Sequence, residues 1–127
     1  MLRRMEQLTL ALEEGTFGAL ATGPEKGPLA LFLHGFPDLP TTWSPVMERF
    51  AARGYRCVAP FLRGYAPSTT EGPFHVDQLA RDVLAFAREL SPRRAAFVLG
   101  HDWGAAATWF AAMREGAFIA AATTVST

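Results

Sequence analysis

Polar and apolar residues alternate along residues 7–12, QLTLAL, which is the period of a strand with one face in water. TFGALATG, residues 16–23, reads as a second strand paired to it through a turn at Glu14-Gly15, and GPEKGP, residues 23–28, is a turn cluster. The pattern then changes. LALFLHG, residues 29–35, is a short unbroken apolar run, as expected of a strand covered on both faces in a parallel sheet. A helix is expected over residues 44–53. Ser44 would cap it, Pro45 fits its first position, Gly54 can end it, and Val46, Met47, Phe50 and Ala51 make its inner face. YRCVAPF, residues 55–61, is another strand, followed by a Gly- and Pro-rich loop over 62–74. Over residues 76–90 the apolar positions Val76, Leu79, Ala80, Val83, Phe86, Ala87 and Leu90 recur at intervals of three and four, the mark of an amphipathic helix. AAFVLG, residues 95–100, is a strand; a helix is expected over 105–114 and a last strand over 118–125, FIAAATTV.

Two strands followed by alternating strands and helices predict an α/β fold, a mostly parallel sheet with helices on both faces. Such sheets place their sites at the C-terminal ends of the strands. Here those ends are the loops after Leu33 and Leu99.

Composition narrows the function. A chain of 127 residues, 50% hydrophobic and 19% charged, is expected to form one domain. Twelve basic residues balance twelve acidic ones. With no basic patch, neither nucleic acid nor a membrane surface is an expected partner. Cys57 is alone, so an internal disulfide is excluded; a cytoplasmic setting is expected, with Cys57 buried on its strand. The N-terminal MLRRMEQLTLALEEG lacks the unbroken apolar core of a targeting segment. Arg114 and Glu115 interrupt the longest apolar region, and neither side reaches the roughly twenty residues a membrane helix needs.

The chemistry concentrates in two blocks. Gly100-His101-Asp102-Trp103-Gly104 has the form of a nucleophile elbow with Asp at its centre. In such a turn the central side chain is pushed into the open, and glycine is needed two positions to either side. The following helix aims its amides at the site and favours negative charge. The alternative is an Asp that simply caps a helix. FLHGFPD, residues 32–38, closes the apolar strand with His-Gly-x-Pro. There the Phe36 N–H can serve an oxyanion, with the Trp103 N–H as its second donor.

With HGFPD, LRGYAPS and GHDWGA in register, the chain resembles the N-terminal part of α/β-hydrolase-fold enzymes, in the branch of epoxide hydrolases and haloalkane or haloacetate dehalogenases. HGFPD and GHDWGA look most like epoxide hydrolases. The resemblance covers residues 1–127 as one incomplete domain. The branch often has Asp-x-Arg-Gly-x-Gly where this chain has Phe61-Leu62-Arg63-Gly64-Tyr65-Ala66. The resemblance implies a hydrolase with Asp102 as nucleophile and with Phe36 and Trp103 as the oxyanion hole. Trp103, Phe36 and Pro37 would contact a small epoxide or alkyl halide, and neither cofactor nor metal would be needed. An aspartate is ionised at neutral pH without a base. Its attack on a saturated carbon gives an ester that water can cleave, where serine would give a stable ether.

His34 is expected to brace its loop, His101 to be structural and His75 to start a helix. Arg63 is read as structural rather than anion-binding, and Trp43 and Trp109 as core aromatics. Tyr65 has no assigned role. The resemblance also implies a histidine base late in the chain, an acid to orient it, and a cap domain carrying proton-donating tyrosines. No histidine follows His101. The expectation is therefore a fragment or truncated product, not competent for turnover alone. The alternatives are a dehalogenase and, from another class, an inactive half-domain acting only through association. Self-association through an exposed C-terminal strand edge is also expected.

Overall fold

The computed structural model describes residues 5–116 and 119–125. Its strands are β1 (Glu6–Leu12), β2 (Gly15–Thr22), β3 (Leu29–Leu33), β4 (Arg56–Pro60), β5 (Ala96–His101) and β6 (Ile119–Val125). Its helices are α1 (Ser44–Ala52), α2 (Val76–Leu90) and α3 (Trp103–Arg114), with a 3-10 turn over Pro40–Trp43. The six strands lie in the order β1-β2-β4-β3-β5-β6. β1 and β2 form an antiparallel hairpin and β2 runs antiparallel to β4; the β3–β4, β3–β5 and β5–β6 pairs are parallel.

β3 lies inside the sheet, and all five of its residues are buried. Strand alternation divides them between two cores. Leu29, Leu31 and Leu33 join Val83, Phe86 and Ala107 beneath α2 and α3, while Ala30 and Phe32 join Met47, Ala51, Cys57 and Ala59 beneath α1. This two-sided burial explains the continuous apolar run. Phe32 meets Phe50 edge-on at 5.3 Å, and Trp43 packs partly buried against the same ring. Cys57 is buried, and desolvation pushes its thiol up to about 11.

α2 has the bounds its periodicity predicts, with the His75 Nδ1 accepting the Gln78 N–H as its cap. Three expectations are corrected. Ser44 does not cap α1: the preceding 3-10 turn has already wound the chain, so Ser44 is the first helical residue. Val46 is exposed, because α1 buries only Met47 and Ala51 fully. Trp109 is not a core aromatic and is 54% exposed. α3 approaches the sheet through Gly104, Ala107, Thr108 and Ala111. Those small residues allow close packing, and Trp109, Phe110 and Met113 then face outward. α3 also begins two residues before the expected Ala105, because the Asp102 carbonyl already accepts the N–H groups of Ala105 and Ala106. The expected strand start at residue 118 lies outside the described residues.

Candidate active site

β3 and β5 are adjacent and parallel, so the loops that leave their C-terminal ends are neighbours. Asp102 stands where β5 meets α3. Among the described non-glycine residues it alone has positive φ, at 56° with ψ −118°. Such a backbone costs an ordinary residue about 1–3 kcal/mol and persists only where its surroundings impose it.

Close packing on three sides imposes it. A Cβ on Gly100 would fall 2.5 Å from Thr108 Oγ1 and 2.6 Å from the Gly104 carbonyl carbon. On Gly104 it would fall 2.7 Å from the Leu33 carbonyl carbon and 2.8 Å from the His34 oxygen. On Gly35 it would overlap the Asp102 side chain itself, 3.0 Å from Oδ2. Glycine at these positions lets α3, β3 and β5 converge on one carboxylate.

Asp102 occupies the N-cap position of α3, yet its side chain makes no capping hydrogen bond. It reaches across to β3 instead, where Oδ2 accepts the Phe36 N–H at 2.9 Å. That bond is the largest cause holding the carboxyl below the usual carboxylate range. The Trp103 N–H adds to it, partial desolvation opposes both, and the charge of His101 contributes last. The two backbone donors singled out in the sequence are thus brought to one carboxylate. Phe36, Pro37 and Trp103 expose their side chains beside it, and the Phe36–Pro37 peptide is cis.

His34 is fully buried. Its Nδ1 faces the Gly35 carbonyl at 2.9 Å, and its Nε2 accepts the Leu62 N–H at 3.0 Å. Burial is the main cause that lowers its pKa, which keeps the ring neutral as the Leu62 bond requires. The imidazole ties the end of β3 to the loop after β4. His101 alternates onto the α1 face with Phe97 and Leu99, and its charge favours ionisation of both Asp38 and Asp102. Asp38 accepts the Thr42 hydroxyl at 2.6 Å and the Leu39 N–H at 2.8 Å, which stiffens the turn after Pro37.

Arg63 has four of its five N–H donors engaged within the fold. It makes a two-pronged bond to Asp82 at 2.8 and 2.9 Å and also donates to the Glu71 carbonyl at 2.8 Å and the Glu14 carbonyl at 2.5 Å. Gln78 donates to Asp82 at 3.0 Å and to Glu14 at 2.7 Å. Sequence reasoning missed this cluster. Its signal was Gln78 and Asp82 one turn apart beside the apolar stripe of α2, with no basic residue at helical spacing from Asp82. It also missed Tyr65, whose ring meets His34 edge-on at 4.7 Å and whose hydroxyl is buried without a partner among the described residues.

A cavity of about 420 Å³ opens beside Phe36 and Trp103, with Leu62, Tyr65, Phe74 and Leu79 among its walls. Among the described residues, no three His, Cys, Asp or Glu side chains are grouped to hold a metal, and no helix is long and apolar enough to cross a membrane.

Comparison with known proteins identifies the fold. Residues 28–127 match the family model of the alpha/beta hydrolase fold. The chain is 40% identical over 93 residues to an epoxide hydrolase of Caballeronia sordidicola, which covers 68% of this chain and 27% of that protein. It is 37% identical over 97 residues to the AB hydrolase superfamily protein YfhM of Bacillus subtilis, covering 74% and 34%. Among solved structures, an epoxide hydrolase of Vigna radiata superposes with a TM-score of 0.84 at 32% identity, over 97% of this chain and 40% of that one. The chain therefore spans about a third of the length of the curated relatives it matches.

Proposed function

This chain belongs to the alpha/beta hydrolase fold family, and from that premise we propose that it carries the nucleophile and oxyanion hole of an epoxide-hydrolase-like site. Asp102 is the nucleophile at the elbow. The observation that carries this reading is the Phe36 N–H held on Asp102 Oδ2 from the neighbouring strand.

That bond makes the two carboxylate oxygens unequal. Oδ2 is pinned, and Oδ1 is free to attack a saturated carbon. The attack forms a C–O bond to Asp102 and breaks the ring C–O bond of an epoxide; the ring oxygen leaves as an alkoxide that takes a proton from solvent water. Oδ2 then becomes the carbonyl oxygen of the ester. When water adds to that ester, negative charge develops on Oδ2, where the Phe36 N–H already points, and the Trp103 N–H beside the carboxylate is the second donor. Donors placed in advance at developing charge are the strongest single device for this chemistry.

Hydrolysis of the ester needs a base. Both ring nitrogens of His34 are engaged, His75 caps α2, and His101, the third histidine, alternates onto the α1 face of β5, away from the cavity side. In this 127-residue chain the ester accumulates rather than turning over. Incubation with styrene oxide is expected to give one adduct per chain at Asp102 by intact mass and peptide mapping, with none in Asp102→Ala and no steady diol formation. Lack of an adduct, or turnover that survives Asp102→Ala, overturns the assignment. With an alkyl halide in place of the epoxide, Asp102 adduct formation with stoichiometric halide release, faster than adduct formation from styrene oxide, would assign the dehalogenase branch. We assign a small uncharged molecule as substrate and, from the single buried thiol, a reducing cytoplasm as the setting.

We also propose that this chain self-associates. β6 ends the strand order, and the exposed Trp109, Phe110 and Met113 of α3 lie on the helix packed beside it. An open edge next to an apolar stripe favours pairing. Light scattering after size exclusion should give a mass above the 13.8 kDa of one chain; a monomer at micromolar concentration refutes the proposal.

A further inference from the structure

The cavity beside Asp102 has an apolar wall of unusual construction. Phe74 is 54% exposed, yet its ring is clasped by backbone. A Cβ on Gly64 would sit 3.3 Å from its Cε1, and a Cβ on Gly72 would sit 3.2 Å from its Cε2. Gly64 has a φ of +96°, so the backbone under one ring edge is open to glycine and to few other residues. An exposed phenylalanine normally swings freely; this one is seated. Phe36 and Trp103, 66% and 47% exposed, line the same cavity. Its one charged wall residue, Arg63, is buried and ion-paired with Asp82.

Four aromatic rings, of Phe36, Tyr65, Phe74 and Trp103, around a mostly apolar space of about 420 Å³ suit a flat, uncharged group. We propose that Phe74 is a specificity-determining residue that receives an aryl group of the substrate, so that the substrate class is an aryl-substituted epoxide. The epoxide part of this inference rests on the reading of Asp102 given above; the aryl part rests on the cavity alone.

Two measurements separate the parts. Ligand-observed NMR titration of the 127-residue chain with benzyl alcohol and cyclohexylmethanol compares a flat ring with a saturated one of similar size. Phe74→Ala and Phe74→Leu are each expected to weaken benzyl alcohol by about 2- to 13-fold, the range of an aromatic pair, and to change cyclohexylmethanol by less. Their thermal melts should match the parent, since the ring is half in water. Equal losses for the two ligands, unchanged binding of benzyl alcohol, or no binding of it by the parent chain overturns the aryl assignment. In parallel, the styrene oxide concentration giving half-maximal Asp102 adduct formation should rise in Phe74→Leu, and that for vinylcyclohexane oxide should rise by less. An aryl preference in binding without any Asp102 adduct keeps this inference and refutes the nucleophile. An adduct formed with no effect of Phe74 does the reverse.

Discussion

Replacing Gly104 with alanine should destabilise the chain, although alanine is the better helix former. The new methyl group would fall 2.7 Å from the Leu33 carbonyl carbon and 2.8 Å from the His34 oxygen. Both atoms are backbone and belong to the most buried strand, so they cannot rotate away. α3 must retreat from β3 by about 1 Å to restore ordinary contact. Overpacking of this kind costs about 1–3 kcal/mol. Two clashes with backbone atoms this close put the cost in the upper part of that range, about 2–3 kcal/mol, and the helix gains at most about 1 kcal/mol from alanine, leaving a net loss of about 1–2 kcal/mol. With an unfolding entropy of about 2.1 cal/mol/K per residue, a 127-residue chain loses about 4 °C of Tm per kcal/mol. Thermal melts followed by circular dichroism should therefore show Gly104→Ala about 4–8 °C below the parent. Gly116→Ala is the control: among the described residues, no atom beyond its chain neighbours lies within 4 Å of its Cβ position, and its melt should not move. The same retreat lengthens the 2.9 Å bond from Phe36 to Asp102, so adduct formation should slow as well. A Gly104→Ala chain as stable as the parent, or more so, would refute the close-approach argument and return Asp102 to a plain helix start.

Because backbone donors hold the Asp102 carboxyl below its ordinary value of 3.8, the ionised form persists as pH falls; adduct formation should stay flat from about pH 7 to about pH 5, and a loss of half the rate above pH 3.8 would contradict the donor geometry. Asp82→Ala leaves Arg63 buried and unpaired and should cost about 3–5 kcal/mol in urea unfolding, with Asp82→Asn costing less because the shape is kept. Cys57, its thiol pushed up to about 11, should be inert to a disulfide reagent at neutral pH in the folded chain and react on denaturation.

The parts of the fold that were legible in the sequence are those in which one period governs one element. The apolar run that begins at Leu29 suits a strand covered on both sides, as β3 is, and the spacing from Val76 to Leu90 matched α2 to its end residues. The parts that were not legible depend on partners far away in the chain. Trp109 was read as core because it is apolar, but the side of α3 that meets the sheet is chosen by small residues. Arg63 finds Asp82 nineteen positions on and Glu14 forty-nine positions back, separations that no local period encodes. The positions of Asp102, Phe36 and Trp103 followed from motifs, because the glycines around them record how closely the backbones approach. Phe74 has no motif; its seat is made by Gly64 and Gly72 together.

The Arg63 cluster bears on the order in which this chain assembles. One guanidinium joins the β1–β2 turn through Glu14, the loop after β4 through Glu71, and α2 through Asp82. The loop that carries Tyr65 and Phe74 can therefore take its final course only after the N-terminal hairpin and α2 have both arrived. Closing those long-range contacts comes after local helices and hairpins have formed. The cavity wall is in that sense a late product of folding. A ligand that recognises it reports on the completed sheet, and no partly folded form with α2 and α3 already helical should bind it.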